Sequence, residues 1–395
     1  MDQRLSKRVN EMATSATLAM AAKTRELKEQ GKDIIGLSLG EPDFTVPEFV
    51  KESAVKAIED DFHAYTPVDG YGDLKQAIIT KFKRDNNLNY KPSQIVVSTG
   101  AKQSLANLTM VLLDEGDEVL LPAPYWVSYS DLCKLAGGVP KEIPTSIKND
   151  FKITPEALEA SITPRTKVIL YSSPCNPSGS VYNKKELRAL ADVLVKHPDI
   201  IVISDEIYEH INFVGEHVSM AQFDDMYNRT VVVNGVSKAF AMTGWRIGYM
   251  GGPEWIARAC NKIQGQITSG ANCIAQRATI TALENPPTKI KYMVDAFKER
   301  RKLIIGLLSE IEGFKTNEPE GAFYIFPDIS YYFGKTLRGK NINTASDFSL
   351  YLLEEAGVAT VTGEAFGDPN CIRISYAASE ADITEAIKRI KDSLI

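Results

Sequence analysis

The stretch VVVNGVSKAFAMTGWRIGYM, Val231 to Met250, decides the fold. Its leading valines, Val231 to Val233, read as a fully buried strand that breaks at Asn234-Gly235. Past the break, Ser237 and Lys238 stand among small residues, and Arg246 follows Trp245. On its own, a lysine beyond a strand is as readily a solvated loop residue as a functional one, and an arginine next to tryptophan can simply stack on it. The reading depends on what stands at the ends of the neighbouring strands.

Outward from this stretch, short apolar runs alternate with helical patterns. QIVVSTG precedes a segment in which Leu105, Leu108 and Leu112 recur at helical spacing. DEVLLPAP, KVILYSSP, DIIVISDE and TVVVNGV are further buried-strand candidates. That rhythm predicts an α/β unit built on a largely parallel sheet. After the prolines of ENPPTK the pattern changes to a long helix reaching about Glu312, then GAFYIFPDI, then a helix around Phe348 to Glu355. The strands VATVTG and CIRISYA and an amphipathic last helix follow, predicting a smaller α+β unit. The expected division is a large unit over 46–288 and a small one over 289–395, with 1–45 contributing to the small one.

Composition excludes several function classes. The 395 residues carry a formal net charge of -6 and no lysine-arginine block, which disfavours a nucleic-acid partner. Five scattered cysteines without CxxC spacing, and only four histidines, predict neither a zinc site nor a disulfide framework. No apolar run approaches the ~20 residues of a membrane span. The apolar run from Leu18 to Ala22 is too short for a signal peptide, so a cytoplasmic protein with reduced thiols is expected.

Ligands of open α/β sheets sit outside the carboxyl ends of the strands. IIVISDEIY ends its strand on Asp205, with Tyr208 shortly after. That carboxylate suits a helix cap, a metal or a cationic cofactor. VVSTGAKQ opens a helix at Gly100, Ala101 and Lys102, where free N–H groups and the helix dipole favour a phosphate. Neither a Walker pattern nor G-x-G-x-x-G in the first strand-helix turn is present. SSPCNPSG presents Asn176 between Pro174 and Pro177. An amine, a carboxylate, a phosphate site, an arginine and an amide, all at strand ends, fit one cofactor, pyridoxal 5'-phosphate.

Four motifs in order, SLGEPDF, SSPCNPSG, SDEIYEHINF and SKAFAMTGWRIGY, then carry a resemblance over nearly the whole chain. The sequence resembles the class I/II aminotransferases of the fold-type I pyridoxal-phosphate enzymes, and among them the bacterial aspartate aminotransferases. The resemblance implies a mostly parallel, seven-stranded-type sheet flanked by helices, plus a smaller α+β domain. It also implies Lys238 as the Schiff-base lysine and base, and Asp205 as partner of the ring nitrogen. Asn176 and Tyr208 match the residues at the ring hydroxyl, and Ser237, Arg246 and the N–H groups of Ala101 and Lys102 match those at the phosphate. Trp126 matches the ring that stacks on the cofactor, and Gly40 a glycine whose backbone touches the substrate. Arg373 matches the fork for the substrate α-carboxylate. Tyr65 matches a tyrosine that reaches the phosphate of a neighbouring subunit, which makes a homodimer with composite sites the expected assembly.

Substrate choice is the least determined part. Aspartate with 2-oxoglutarate is the expected pair, giving oxaloacetate and glutamate, and Lys102 in GAKQ is the candidate for the distal carboxylate. Aromatic amino acids or prephenate are the alternative, as is another reaction type on the same cofactor, such as that of a lyase. A DNA-binding regulator on this fold is disfavoured, because SLGEPDF begins at Ser38.

Overall fold

A computed structural model of the chain describes residues 4–12 and 14–395. Residues 1–3 and 13, part of the expected N-terminal segment, lie outside the described residues. The central sheet comprises β1 (Ile95–Ser98), β2 (Glu118–Pro122), β3 (Val139–Ile143), β4 (Thr166–Ser172), β5 (Ile201–Asp205), β6 (Thr230–Gly235) and β7 (Gly248–Gly251). Its order is β1-β7-β6-β5-β4-β2-β3. Neighbours are parallel except around β7, which runs antiparallel to both β1 and β6. The central strands are apolar without alternation because helices cover both faces, whereas β3 at the sheet edge is polar and partly exposed. Val231 and Val233 pack with Leu105, Leu108 and Ile256, whereas Val232 joins the cluster of Phe82 and Ala278.

One local expectation is corrected. β6 does not break at Asn234-Gly235, because Asn234 pairs with Tyr249 and Gly235 with Gly248. The glycine-rich GYMG, not among the strand candidates, forms β7, where packing selects for the missing side chain. A Cβ on Gly248 would lie 2.1 Å from the Ala101 nitrogen, so the bare backbone lets the start of helix Ala101–Leu112 settle onto the sheet.

The C-terminal part builds a three-stranded antiparallel sheet with Ile372–Ser375 at its centre, between Val361–Thr362 and Tyr324–Ile325. Ile35–Gly36 pairs in parallel with Val358–Ala359, tying the N-terminal segment to this part. VATVTG is therefore split between two sheets. The long helix runs Lys291–Ser309, and the one expected near Phe348 starts earlier, at Ala345–Tyr351, before a π-turn over Leu352–Ala356. Among the described residues no helix is long and apolar enough to cross a membrane.

β5 and β6 finish side by side at Asp205 and Gly235. Antiparallel β7 starts opposite Gly235 at Gly248, so residues just before it, including Arg246, meet those just after β6. The chain direction thus gathers Asp205, Ser237, Lys238 and Arg246 at one sheet edge.

Candidate active site

A cavity of about 270 Å³ opens at that edge. Lys238 lines it and donates from Nζ to the Gly40 carbonyl at 2.5 Å. Burial holds this amine down to about 8, with the positive charges of Arg373 and Arg246 adding to the effect. Asp205 is buried, and its Oδ2 accepts from the Tyr129 phenol at 2.7 Å and its Oδ1 from the Ile207 N–H at 3.2 Å. No helix starts after Asp205, so it caps none. Burial pushes its carboxyl up to about 6, against those two donors, and among the described residues it forms no ion pair.

The corner beside Arg246 is shaped by backbone. Gly100 has φ +82, and a Cβ there would stand 2.3 Å from Arg246 Nη2. Helix Ala101–Leu112 begins at this point with no acidic residue in its first turn. Its leading N–H groups have no partner within the helix, and with Arg246 and Ser237 they surround a place suited to an anion.

Arg373 reaches the cavity from the small sheet. It is 1% exposed, yet its partners are neutral: Nη1 donates to Asn176 Oδ1 at 2.9 Å and Nη2 to the Ser38 carbonyl at 2.5 Å. The guanidinium lies 4.6 Å from the Tyr324 ring and 4.8 Å from that of Phe366, and its buried Nε has no partner. The Tyr324 hydroxyl in turn meets the Tyr208 hydroxyl at 2.7 Å. A Cβ on Gly40 would lie 1.8 Å from the Tyr324 hydroxyl oxygen. The need for glycine at position 40 thus comes from this protein side chain, not from a ligand's approach alone.

Near the mouth, Lys102 Nζ sits 4.8 Å over the Trp126 ring, and Ser15 and Thr17 line the same cavity. Burial lowers the Lys102 ammonium, and Arg246 adds to this. The cavity therefore brings together Gly40, Ala101, Lys102, Trp126, Asn176, Asp205, Tyr208, Ser237, Lys238, Arg246 and Arg373. Gly100 stands behind Arg246, and Tyr65 lines no part of it, being 99% exposed. Sequence reasoning missed Tyr129, Tyr324, Ser15 and Thr17. Tyr129 lies in the same YWVSY run as Trp126, and the two rings meet edge-on at 5.7 Å across the turn that opens helix Ser128–Leu135. For Tyr324 and Thr17 there is no local signal.

Residues 32–390 match the family described as Aminotransferase class I and II. The chain belongs to that family. An aspartate/prephenate aminotransferase of Nitrosomonas europaea is 47% identical over 99% of this chain and 100% of its own length. Among solved structures, the aspartate aminotransferase of Rhizobium meliloti superposes with a TM-score of 0.95 at 44% identity, covering 99% of this chain and 98% of the other. That of Thermus thermophilus with maleate gives 0.93 at 41% identity, with both chains fully covered. The aminotransferases of this family use pyridoxal 5'-phosphate, and this chain is such an enzyme. Its cavity fits the cofactor's chemistry: a buried carboxylate with no ion-pair partner among the described residues, an anion-suited corner of backbone N–H groups and Arg246, and an amine with a lowered proton affinity.

Proposed function

We propose that the cavity holds pyridoxal 5'-phosphate with Lys238 at its aldehyde, Asp205 at the ring nitrogen and Asn176 with Tyr208 at the ring hydroxyl. Trp126 covers the ring face, and Gly100, Ala101, Lys102, Ser237 and Arg246 surround the phosphate. When bound, the cofactor is an electron sink for charge developing at the substrate Cα. Lys238 Nζ takes the proton from that carbon, a task suited to an amine held down to about 8. Tyr129 keeps Asp205 oriented and ionised by donating to Oδ2.

The observation that carries this reading is Arg373, a buried cation with no carboxylate partner among the described residues, facing the same cavity as Lys238 and Asp205. A substrate α-carboxylate supplies the missing charge in bidentate geometry. Gly40 lines the same cavity, so its backbone stands beside the substrate there.

The amino donor is L-aspartate and the acceptor 2-oxoglutarate, giving oxaloacetate and L-glutamate. Lys102, Ser15 and Thr17 at the mouth suit a distal carboxylate, and the Thermus thermophilus relative was solved with the dicarboxylate maleate. Prephenate is a second acceptor on this reading, supported by the name of the Nitrosomonas europaea relative and by the Lys102–Trp126 stack. Single-turnover conversion of the bound cofactor, followed by absorbance, tests this across aspartate, glutamate, phenylalanine and tyrosine, with 2-oxoglutarate and prephenate as acceptors. Aspartate is expected to be fastest, and equal rates for all four donors would refute the assignment.

Tyr65, fully exposed and away from its own cavity, serves the site of a second copy in a cytoplasmic homodimer. Mixed dimers of Lys238→Ala and Tyr65→Ala chains should recover one working site. A mixture no more active than its parents would place Tyr65 outside the neighbour's site. On this reading the chain divides at about the boundaries 46–288 and 289–395, with 1–45 joining the small part.

A further inference from the structure

The turn that follows β5 carries two sets of side chains. Asp205 and Tyr208 line the cavity, whereas Glu206 and Glu209 line no part of it and enter a second, buried polar cluster. Glu206 accepts from Ser204 Oγ at 2.8 Å, Ser219 Oγ at 2.5 Å and His217 Nε2 at 2.9 Å. Glu209 forms an ion pair with Lys81 of helix Gly72–Asn86 and accepts from Asn86 Nδ2 at 2.8 Å. Lys81 Nζ also donates to Asn86 Oδ1 at 2.7 Å, closing a three-residue ring of contacts. His210 stands 3.3 Å from Glu209 and 3.6 Å from Asp85.

Glu206, Glu209 and His217 offer ligand atoms within 4.8 Å of one another, a spacing that would suit a metal ion. The cation already there is the protein's own. Burial alone would raise the Glu209 carboxyl, but Lys81 and the two histidines hold it well below the usual range. A metal would have to enter against an ammonium that is 0% exposed. Ionic groups this deeply buried add little net stability compared with apolar replacements, and their best-attested use is to select one arrangement. Here the arrangement selected is that of the turn, since each carboxylate is gripped by a different part of the chain.

We propose that Lys81, acting through Glu209 and Asn86, is a positioning residue that sets where the turn presents Asp205 and Tyr208 to the cofactor. This rests on reading those two residues as cofactor contacts. A loosened turn would let both drift, and misplacements of about 1 Å can cost roughly a hundredfold in rate.

Lys81→Met alone strands a buried carboxylate, so the informative variant of the full-length enzyme is Lys81→Met with Glu209→Gln. Three quantities are read: the melting temperature of the cofactor-free protein, the Kd for pyridoxal 5'-phosphate by fluorescence titration, and the pH midpoint of the bound cofactor's visible absorption. The double variant is expected to melt close to wild type, to bind the cofactor about tenfold more weakly, and to show a displaced midpoint. Asn86→Leu, which leaves both charges, should move Kd and midpoint in the same directions by a smaller factor. Wild-type Kd and midpoint in a folded double variant, or no movement in Asn86→Leu if the double variant does not fold, overturn the positioning role. Asp205→Asn and Tyr208→Phe are titrated alongside. If neither changes Kd or midpoint, the site reading falls and the proposal with it; if they do and the Lys81 variant does not, only the positioning role is lost.

Discussion

Lys81 and Arg373 are buried to the same depth, 0% and 1% exposed, and the fold treats them oppositely. Lys81 faces the Glu209 carboxylate, and the amide of Asn86 bridges the pair. Arg373 faces an amide oxygen, a backbone carbonyl and two aromatic rings, with one nitrogen left without a partner. Removing a charge from water costs several kcal/mol unless another charge offsets it. Inside the fold Lys81 has a carboxylate to offset it and Arg373 has none among the described residues; on the proposed reading an incoming anion supplies it. A buried cation marks a binding site when its counter-charge is missing, and a structural joint when it is present.

The strongest way to break this comparison is to remove each cation. Arg373→Leu should lower kcat/KM for every amino donor by about a thousandfold, the scale of a lost buried charge pair. It should leave the melting temperature of the cofactor-free protein unchanged or slightly raised, since no protein carboxylate is abandoned. Lys81→Met should do the reverse to stability, with a loss of about 3–5 kcal/mol in chemical denaturation, because buried Glu209 loses its ammonium partner and keeps only Asn86 and the histidines beside it. If Arg373→Leu unfolds the protein and Lys81→Met does not, the distinction is wrong.

Lys238 sharpens the comparison by titration. Its amine is held down to about 8 in the fold, below the unperturbed 10.5, so the folded protein binds fewer protons than the unfolded one between these values. Stability of the cofactor-free enzyme should therefore rise with pH across that window, and below it the buried ammonium costs up to roughly 3 kcal/mol. Lys238→Ala should remove this slope and be the more stable protein at pH 7. Parallel curves for the two proteins from pH 7 to 11 would count against an amine held down by its surroundings in the fold. The smallest effect is expected at the mouth. Lys102→Ala should slow aspartate and glutamate about tenfold, roughly one lost charge-assisted hydrogen bond, and leave phenylalanine nearly unchanged. An equal loss on all three donors would assign Lys102 to the phosphate alone.

The parts of the site that could be read in the sequence share a physical origin. Lys238, Asp205 and Asn176 each follow an apolar run long enough to be a buried strand, and the geometry of a parallel sheet puts such positions on one edge. Arg373 was legible only through the family resemblance, since an arginine on a short strand is by itself as readily a surface residue. β7 was hidden because its glycines look like turn residues, and only the helix packed on Gly248 explains them. Tyr129, Tyr324 and Thr17 were hidden because a tyrosine or threonine has many ordinary places in a fold.

Local sequence thus determined the layered α/β architecture, the strand ends that face the cavity and the kind of chemistry gathered there. Those follow from periodicity and from residue types whose reactivity is intrinsic. Tertiary structure alone decided which charges are compensated. In KFKRDN, Lys81 and Lys83 are the same residue two positions apart, yet one is fully buried against Glu209 and the other is exposed. That difference depends on what the rest of the chain packs against each side chain, and contacts between residues more than a hundred positions apart are not written in either neighbourhood.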